Sequence, residues 1–319
     1  IILLGLGLFL LYLGFSRDSR GFKAAGAIFL PAVIAFFWFL GFWGEKLWFD
    51  ALGYVERFWI IVAASAGFAL AGGAIGAIVM LALLLRLKRR TISKWWAAAG
   101  GALVGAFWGV TNRYTILLFF NRADAGVTEP IFGYDASFYL FTLPFLDSIY
   151  DLAVLLSLLG LGAAVFYSSL TYRSGEWEVE PAIFTREAPG ARFSFHLSAA
   201  LLLAALAYGK FLERYHLLYS DWGVVNGPGW TDVNVRLPML TTASIITLLA
   251  AAALLAPQAR RRLAGLASRL RIAPWGGAAG ALIGVGAAVF ISWFILLSAV
   301  PRAFQWLRVE PNEITMESP

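Results

Sequence analysis

Four acidic residues in the polar connections of this chain have the chemistry to bind a cation or to exchange protons: Asp135, Glu213, Asp221 and Asp232. Calcium binding requires several hard oxygen ligands, which carboxylates and exposed carbonyls supply. The spacing of these residues matches no compact calcium-binding loop, so hydrogen bonding within the connections is the alternative role. An enzyme acting on lipid-linked substrate would have to bring such acids together in a cleft.

The residue types that are missing exclude several other kinds of site. The chain of 319 residues contains no Cys and only two His. Disulfides, thiolate metal sites and cysteine nucleophiles are therefore excluded, and an ordinary zinc site is hard to build. We predict no catalytic residue and no cofactor from the sequence.

The elements that position these acids are predicted to be membrane-spanning helices. The chain is 60% apolar and 14% charged, with a mean hydropathy of +0.75, which is typical of a polytopic membrane protein. A span needs ~20 mostly apolar residues. Seven runs qualify: 24–43, 58–85, 95–118, 144–170, 193–212, 238–256 and 275–300. We therefore predict an all-α polytopic transmembrane helix bundle of about eight spans, with short interfacial helices.

The eighth predicted span is the run over residues 1–15, which is short and would cross the membrane only if a few residues precede it. A cleaved signal peptide is the alternative interpretation. No small-residue cleavage site follows Phe15, so a retained helix is favoured.

The charges between these runs alternate along the chain. Segments 16–23, 86–94, 171–192 and 257–273 hold 16 Lys and Arg against 5 Asp and Glu, whereas the remaining segments hold 9 against 14. The positive-inside rule places the basic segments in the cytoplasm and, with eight spans, both termini outside. The basic isoelectric point of about 9.6 therefore reflects membrane topology, and nucleic acid is not an expected partner.

Small residues recur at every fourth position of several runs, which places them on one helix face where backbones can approach closely. The glycines concerned are Gly67, Gly101, Gly105, Gly109, Gly276, Gly280 and Gly284. We predict that they pack helices within the bundle. Docking of another membrane protein against these faces is the alternative.

Segment 257–274 combines Leu263, Leu266 and Leu270 on one face with arginines around the others. Such a helix can lie on the cytoplasmic leaflet, because arginines attract anionic lipid headgroups. The predicted headgroup contacts are Arg260, Arg261, Arg262, Arg269 and Arg271. A connection that only fixes the topology is the other interpretation.

The aromatic stretch EPIFGYDASFYLFTLPF, residues 129–145, falls in a predicted outer connection. Aromatic rings settle at the membrane interface, where a ring is half-buried and a polar group stays wet. Asp135 is predicted to cap a short interfacial helix, and Pro144 suits the first turn of the span that follows.

Five segments in a fixed order resemble uncharacterised protein family 0182, a group of large prokaryotic membrane proteins. They are KLWFDALGY (46–54), EPIFGYDASFYLFTLPF (129–145), LERYHLLYS (212–220), GPGWTDVNVRLP (227–238) and RVEPNEITMESP (308–319). The resemblance covers about nine-tenths of the chain. One departure is Trp230, which stands where the family commonly has Tyr.

In this family a multispan region is followed by a large extracytoplasmic portion. The resemblance therefore implies a prokaryotic plasma-membrane protein with a transmembrane domain over residues 1–307. Residues 308–319 would then begin an extracytoplasmic C-terminal portion. The resemblance implies no established activity, substrate or cofactor.

Three functions are compatible with these features. We favour a non-enzymatic membrane anchor or scaffold that holds an extracytoplasmic portion through outer connections 44–57, 111–143 and 211–237. The alternative is a transporter or lipid-handling protein, which requires a continuous path between Gly-lined helices. The third is an outer-face enzyme, which requires at least two of Asp135, Glu213, Asp221 and Asp232 to converge in a cleft.

Overall fold

The computed structural model describes residues 2–87, 93–173, 176–179, 189–221, 227–269 and 277–312. These residues are helical apart from their connections and one pair of short strands, so the predicted helical architecture is confirmed. The chain divides into two compact units, Ile1–Ala66 and Gly67–Pro319. The division falls within a single long helix.

The first unit contains α1 (Ile2–Ser16), α2 (Arg20–Ala51) and the first part of α3 (Val55–Leu83). The helices α1 and α2 pack as a hairpin whose turn includes Asp18 with a positive φ of 48°. Gly14 and Gly26 lie at the closest approach, because a methyl group on either would overlap the backbone of the facing helix. The two helices therefore need glycine at these points to pack as they do.

The second unit continues α3 and contains two short strands and eight further helices among the described residues. They are α4 (Lys94–Thr111), α5 (Arg113–Phe120), α6 (Leu143–Ser169), β1 (Leu170–Arg173), β2 (Glu176–Val179), α7 (Pro189–His216), α8 (Leu237–Leu255), α9 (Pro257–Arg269), α10 (Gly277–Phe294) and α11 (Val300–Phe304). Strands β1 and β2 pair antiparallel, with Leu170 opposite Val179. This pair is a small local departure from the all-helical prediction.

Short turns of π- or 3-10 helix extend several of these helices. They are Phe138–Thr142 before α6, Leu217–Tyr219 after α7, Asp232–Arg236 before α8, and Ile295–Ala299, Gln305–Val309 and Glu310–Asn312 around α11. Through these turns α10 and α11 form one continuous helix over residues 277–312, which we call the C-terminal helix.

Three prolines each follow closely on a π-helical turn: Pro144, Pro238 and Pro301. Proline lacks a backbone N–H, and its ring would meet the carbonyl group four residues earlier in an α-helix. A wider π turn just before the proline accommodates this mismatch. Helical structure therefore already precedes Pro144, where the sequence suggested that a helix begins.

Among the residues that the structure describes, six helices are long and apolar enough to cross a membrane, or seven if the bent pair α4 and α5 is one span. That pair is bent by 62° at Asn112, whose side chain bonds to the carbonyl group of Trp108. These seven correspond to the seven runs predicted in full. Helix α1 is only 15 residues long, so the eighth span stays a prediction.

Helix α7 lies between α6 and α8 and packs along both, while α8 also contacts the C-terminal helix. Side-chain hydrogen bonds join α8 to α7 and to the C-terminal helix. Ser244 donates to the carbonyl oxygen of Ala207 at 2.7 Å, and the Trp293 indole N–H donates to the Thr247 hydroxyl at 2.9 Å. Such bonds hold apolar helices together where the hydrophobic effect supplies no driving force.

Glycines set the contact between α3 and α4. A methyl group on Gly101, Gly105 or Gly109 would overlap the backbone carbonyl of Gly76, Gly72 or Phe68, respectively. Gly67 differs, because a methyl group there would meet open space. The closest contacts of α3 with α4 therefore begin at Phe68, one position after Gly67.

Replacing Gly105 by Ala is expected to destabilise the bundle by about 1–3 kcal/mol, the usual cost of forcing extra volume into a packed contact. The added methyl group meets the rigid carbonyl of Gly72, so α3 and α4 must separate. Chemical denaturation in mild detergent measures the loss. Gly67→Ala is the matched control, and an equal loss in both variants would contradict the packing assignment.

Candidate functional site

Two carboxylates order the connection before α6. Asp135 directly precedes the first helical residue, and its carboxylate accepts backbone hydrogen bonds from Ala125, Gly126 and Ser137 at 2.8–2.9 Å. Glu129 accepts backbone hydrogen bonds from Ile131 and Phe132 at 2.6 Å. Both carboxylates are therefore occupied in holding the backbone of their own connection, which agrees with the capping role predicted for Asp135.

These hydrogen bonds stabilise the charged carboxylates. The bonds from Ser137 and from the amide of Ala125 hold the pKa of Asp135 well below its ordinary value. Partial burial acts to raise the pKa of Glu129, but the bonds from Ile131, Tyr139 and Phe132 together lower it. A depressed pKa means that the folded connection favours the ionised form of each group.

We expect the connection over residues 121–137 to loosen when the pH falls below about 4. Because both folded-state pKa values are depressed, their stabilising contribution is present above the unfolded pKa values, near 3.8 and 4.5, and is lost on acidification. Limited proteolysis or hydrogen exchange at this connection measures the opening. In Asp135→Asn the connection should already be loosened at neutral pH, and unchanged protection there would contradict the assignment.

A second set of contacts joins residues 229–236 to the C-terminal helix. Trp230 stacks on Phe304 with ring centroids 5.5 Å apart and planes within 7°, and the Thr231 hydroxyl bonds to the Gln305 side chain. The Asp232 carboxylate accepts from Arg236 at 2.5 Å and from the amide of Gly229 at 3.2 Å. We call this set of six side chains the clamp. Its members are Trp230, Thr231, Asp232, Arg236, Phe304 and Gln305.

The clamp is anchored by an ion pair whose carboxylate is buried. The Asp232 side chain is only 2% exposed, whereas that of Arg236 is 31% exposed. Thr231 is buried as well. The carboxylate thus depends on Arg236 for its charge compensation, because buried charges persist only when paired and hydrogen-bonded.

Two cavities lie next to the clamp, at one end of α6, α7, α8 and the C-terminal helix. The smaller measures about 220 Å³ and the larger about 410 Å³, and both are lined by Glu213 and His216. We call them together the polar cleft. Its lining residues with an acidic, basic or imidazole side chain are Asp147, Lys210, Glu213, His216, Asp221, Arg236 and Arg302.

Most ionisable groups in the polar cleft are paired with one another. Lys210 contacts Glu213 at 2.5 Å, and His216 contacts Asp147 at 3.1 Å. Arg236 is paired with Asp232. Within the described ranges of the chain, neither Asp221 nor Arg302 has an ion pair or a side-chain hydrogen bond. The larger cavity is therefore lined by one unpaired carboxylate and one unpaired guanidinium, both on exposed residues.

The four acids singled out from the sequence divide between these features. Glu213 and Asp221 line the larger cavity, Asp232 belongs to the clamp, and Asp135 caps a separate connection. In the part of the chain that the structure describes, no group of three or more His, Cys, Asp or Glu is placed to hold a metal ion. The four acids accordingly do not assemble into the metal site that was considered for them.

The arginines of α9 differ in their surroundings. Arg261, Arg262 and Arg269 are exposed, whereas Arg260 is half-buried. Burial and the nearby Arg192 lower the pKa of Arg260. Arg271, the fifth predicted headgroup arginine, lies outside the described residues. Of the nearby glycines predicted to pack helices, Gly276 also lies outside the described residues, Gly280 is buried and Gly284 is half-buried. Three of the five predicted headgroup arginines are thus accessible from outside the protein.

A further polar group lies near the start of α7, at the end opposite to the polar cleft. Ser194, His196 and Ser198 are buried. Ser194 Oγ, His196 Nδ1 and Ser198 Oγ have no hydrogen-bond partner among the residues that the structure describes. Buried polar atoms of this kind are uncommon, since each forfeits the hydrogen bonds that it would make with water.

Sequence reasoning missed several residues of the polar cleft and the clamp. Lys210, Arg302 and Gln305 lie at the ends of apolar runs, where single charged or polar residues usually mark only the membrane interface. Arg236 stands within the family-like segment GPGWTDVNVRLP, four residues after Asp232, which is the spacing of an ion pair along a helix. That spacing was the available signal for the buried pair.

Comparison with known proteins places this arrangement in a family. A model of an uncharacterised protein family, UPF0182, matches residues 23–319. A UPF0182 protein of Pelobacter propionicus is 35% identical over 222 residues, covering 68% of this chain and 22% of that protein. A UPF0182 protein of Synechococcus sp. is 30% identical over 296 residues, covering 87% of this chain and 32% of that protein.

The chain spans about a fifth to a third of the length of these curated relatives. No solved structure matches it. The family match begins within α2 and runs through the polar cleft and the clamp. This chain belongs to the uncharacterised protein family UPF0182.

Proposed function

We propose that this chain is a membrane anchor, and that the clamp fixes the direction in which the C-terminal helix leaves the membrane. The observation that carries the proposal is the set of clamp contacts near the end of that helix, at Phe304 and Gln305. An aromatic stack and a hydrogen bond resist rotation of the helix better than apolar contact alone, because both depend on orientation. If the C-terminal portion is to keep a fixed orientation, the C-terminal helix that leads into it must itself be held in place.

The length of the relatives supports this role. The match covers only 22–32% of these relatives, so in those proteins most of the sequence lies elsewhere. In the proposed arrangement residues 308–319 begin an extracytoplasmic C-terminal portion that follows the transmembrane domain. The bundle supplies a fixed base for it.

The proposed location is the plasma membrane of a prokaryote, with the clamp outside and α9 inside. Helix α8 runs from the clamp to α9, so the two ends of this span carry different chemistry. Arginines dominate α9, which favours the cytoplasmic side. Anionic lipid is the proposed partner of Arg261, Arg262 and Arg269, and other membrane proteins remain candidate partners.

The contact between α3 and α4 favours an anchor over a path between Gly-lined helices. Gly101, Gly105 and Gly109 are used for direct backbone contact, which leaves no room for a solute at these points. Glu213 and Asp221 do share a cavity, as an outer-face enzyme would require. Glu213 is paired with Lys210, so the geometry of this cavity supports ligand binding better than acid–base chemistry.

The orienting role can be tested by distance measurements between two spin labels. The chain has no Cys, so Val127→Cys and Arg308→Cys introduce two unique labelling sites, both at exposed positions. We expect one narrow distance distribution in the otherwise unchanged chain and a broad one when Trp230→Ala removes the stack. Trp306→Ala is the control, because Trp306 is 68% exposed and lies outside the clamp.

A narrow distribution in Trp230→Ala would overturn the orienting role. The anchor itself is tested separately in a full-length relative, by deleting everything after the position that corresponds to residue 319. Loss of that protein's cellular function, with the bundle still inserted and folded, supports the anchor. Full function from the shortened protein would reject it.

A further inference from the structure

The larger cavity of the polar cleft combines an apolar wall with charged lining residues. Leu217, Leu240 and Leu297 form the wall, and Asp221 and Arg302 are among the charged residues that line it. Its volume of about 410 Å³ falls within the range of about 300–1,000 Å³ that is usual for small-molecule sites. It lies at the ends of membrane-spanning helices, where the apolar and polar regions of a lipid meet.

The two unpaired charged side chains in this cavity indicate the chemistry of a matching ligand. Arg302 has no ion pair among the described residues, and its planar guanidinium suits a phosphate, which accepts two parallel hydrogen bonds from it. Asp221 likewise lacks an ion pair in the described ranges, and its carboxylate suits an ammonium group. A ligand carrying both a phosphate and an amine would satisfy both.

The neighbouring groups disfavour simpler ligands. A purely anionic headgroup would leave Asp221 unpaired and would face Glu213 as well, whereas a free metal cation would face Arg302 and Arg236. The remaining ionisable side chains around the cavity are engaged, since Glu213 pairs with Lys210, and His216 with Asp147. A zwitterion fits this charge pattern without breaking the existing pairs.

We propose that the larger cavity binds a zwitterionic phosphoethanolamine headgroup, with its phosphate on Arg302 and its ammonium group on Asp221. Leu240 and Leu297 then contact the first carbons of the acyl chains. The inference is independent of the anchor role, because it rests on the cavity and not on the clamp contacts.

Binding can be tested with the purified chain in mild detergent, using short-chain phosphatidylethanolamine and short-chain phosphatidylglycerol as probes. We expect the chain to bind the phosphatidylethanolamine clearly more tightly than the phosphatidylglycerol. Arg302→Gln should weaken its binding by about tenfold or more, the value of a lost charge-assisted hydrogen bond. Asp221→Asn should weaken binding of the ethanolamine lipid and leave binding of the glycerol lipid unchanged or stronger.

Matched controls are Arg308→Gln and Asp124→Asn, which change the same residue types at exposed positions outside the cavity. Unfolding midpoints of all four variants identify any that fail to fold, and Arg302→Lys then serves as the milder substitute. Equal binding of both lipids, or equal effects of cavity and control variants, would overturn the proposal. If water-soluble phosphoethanolamine binds as tightly as the lipid, the apolar wall contributes nothing to binding. That result would overturn the claim that the bound headgroup belongs to a lipid.

Discussion

Replacing Arg236 by Gln is expected to destabilise the protein by about 3–5 kcal/mol, the usual cost of leaving one member of a buried ion pair uncompensated. The effect is large because the two partners are unequally buried. Arg236 is 31% exposed and its charge can be partly hydrated, but the carboxylate of Asp232 is only 2% exposed. Removing the more accessible partner therefore leaves the less accessible charge alone.

The same difference in burial predicts the order of stability among the three variants of a double-mutant cycle. Asp232→Asn should cost less than Arg236→Gln, because the remaining guanidinium reaches solvent. The double variant should be more stable than Arg236→Gln, since no unpaired buried charge remains. Chemical denaturation of the purified chain in detergent measures all three.

An exposed ion pair provides the comparison for this cycle. Lys23 contacts Asp18, whose side chain is 93% exposed, so Lys23→Gln is expected to cost about 1 kcal/mol or less. If Arg236→Gln costs no more than Lys23→Gln, the buried pair does not hold the clamp as described.

Single cysteines on the two sides of the membrane are expected to give opposite labelling by a membrane-impermeant maleimide. Val127→Cys should be labelled in intact spheroplasts, whereas Arg261→Cys should react only after permeabilisation. Val127 is 66% exposed in an acidic connection, and Arg261 is exposed on the basic helix α9. The effect should be close to all-or-none, because the absence of Cys from the chain removes background labelling.

A second pair of positions makes the labelling test independent of any one site. Tyr219→Cys, next to the polar cleft, should behave like Val127→Cys, and Arg269→Cys like Arg261→Cys. The reverse pattern would place the clamp in the cytoplasm and would remove the proposed extracytoplasmic anchor. It would leave the cavity and its headgroup chemistry intact, so the two proposals can fail separately.

Glycine contacts show where a sequence pattern is sufficient and where it is not. The four-residue spacing predicts that Gly101, Gly105 and Gly109 share one face, and in the structure all three meet the backbone of α3. Gly67 has the same type of spacing but meets open space. Spacing identifies a face of a helix, but the rotation and tilt of the neighbouring helix decide which residues on that face are in contact.

The bend at Asn112 and the π turns before Pro144 and Pro301 were not predicted. Hydropathy is a sum over a window and is insensitive to one residue that redirects the axis. The 62° bend between α4 and α5 therefore lies inside a single predicted run. Pro144 suggested a helix boundary, but wider turns allow the helices to continue past Pro144 and Pro301.

The sequence by itself determined the membrane class, the positions of seven apolar runs, the alternation of charge and the family. The first three depend on composition or on neighbours within a short window, and the family depends on the order of short segments along the chain, so the chain need not be folded to reveal them. Only the tertiary structure decided that Asp147, Glu213, Asp221 and Arg302 line one cleft, and that Trp230 meets Phe304. Asp147, Glu213 and Arg302 lie far apart along the chain, as do Trp230 and Phe304, and the packing of α6, α7, α8 and the C-terminal helix brings them together.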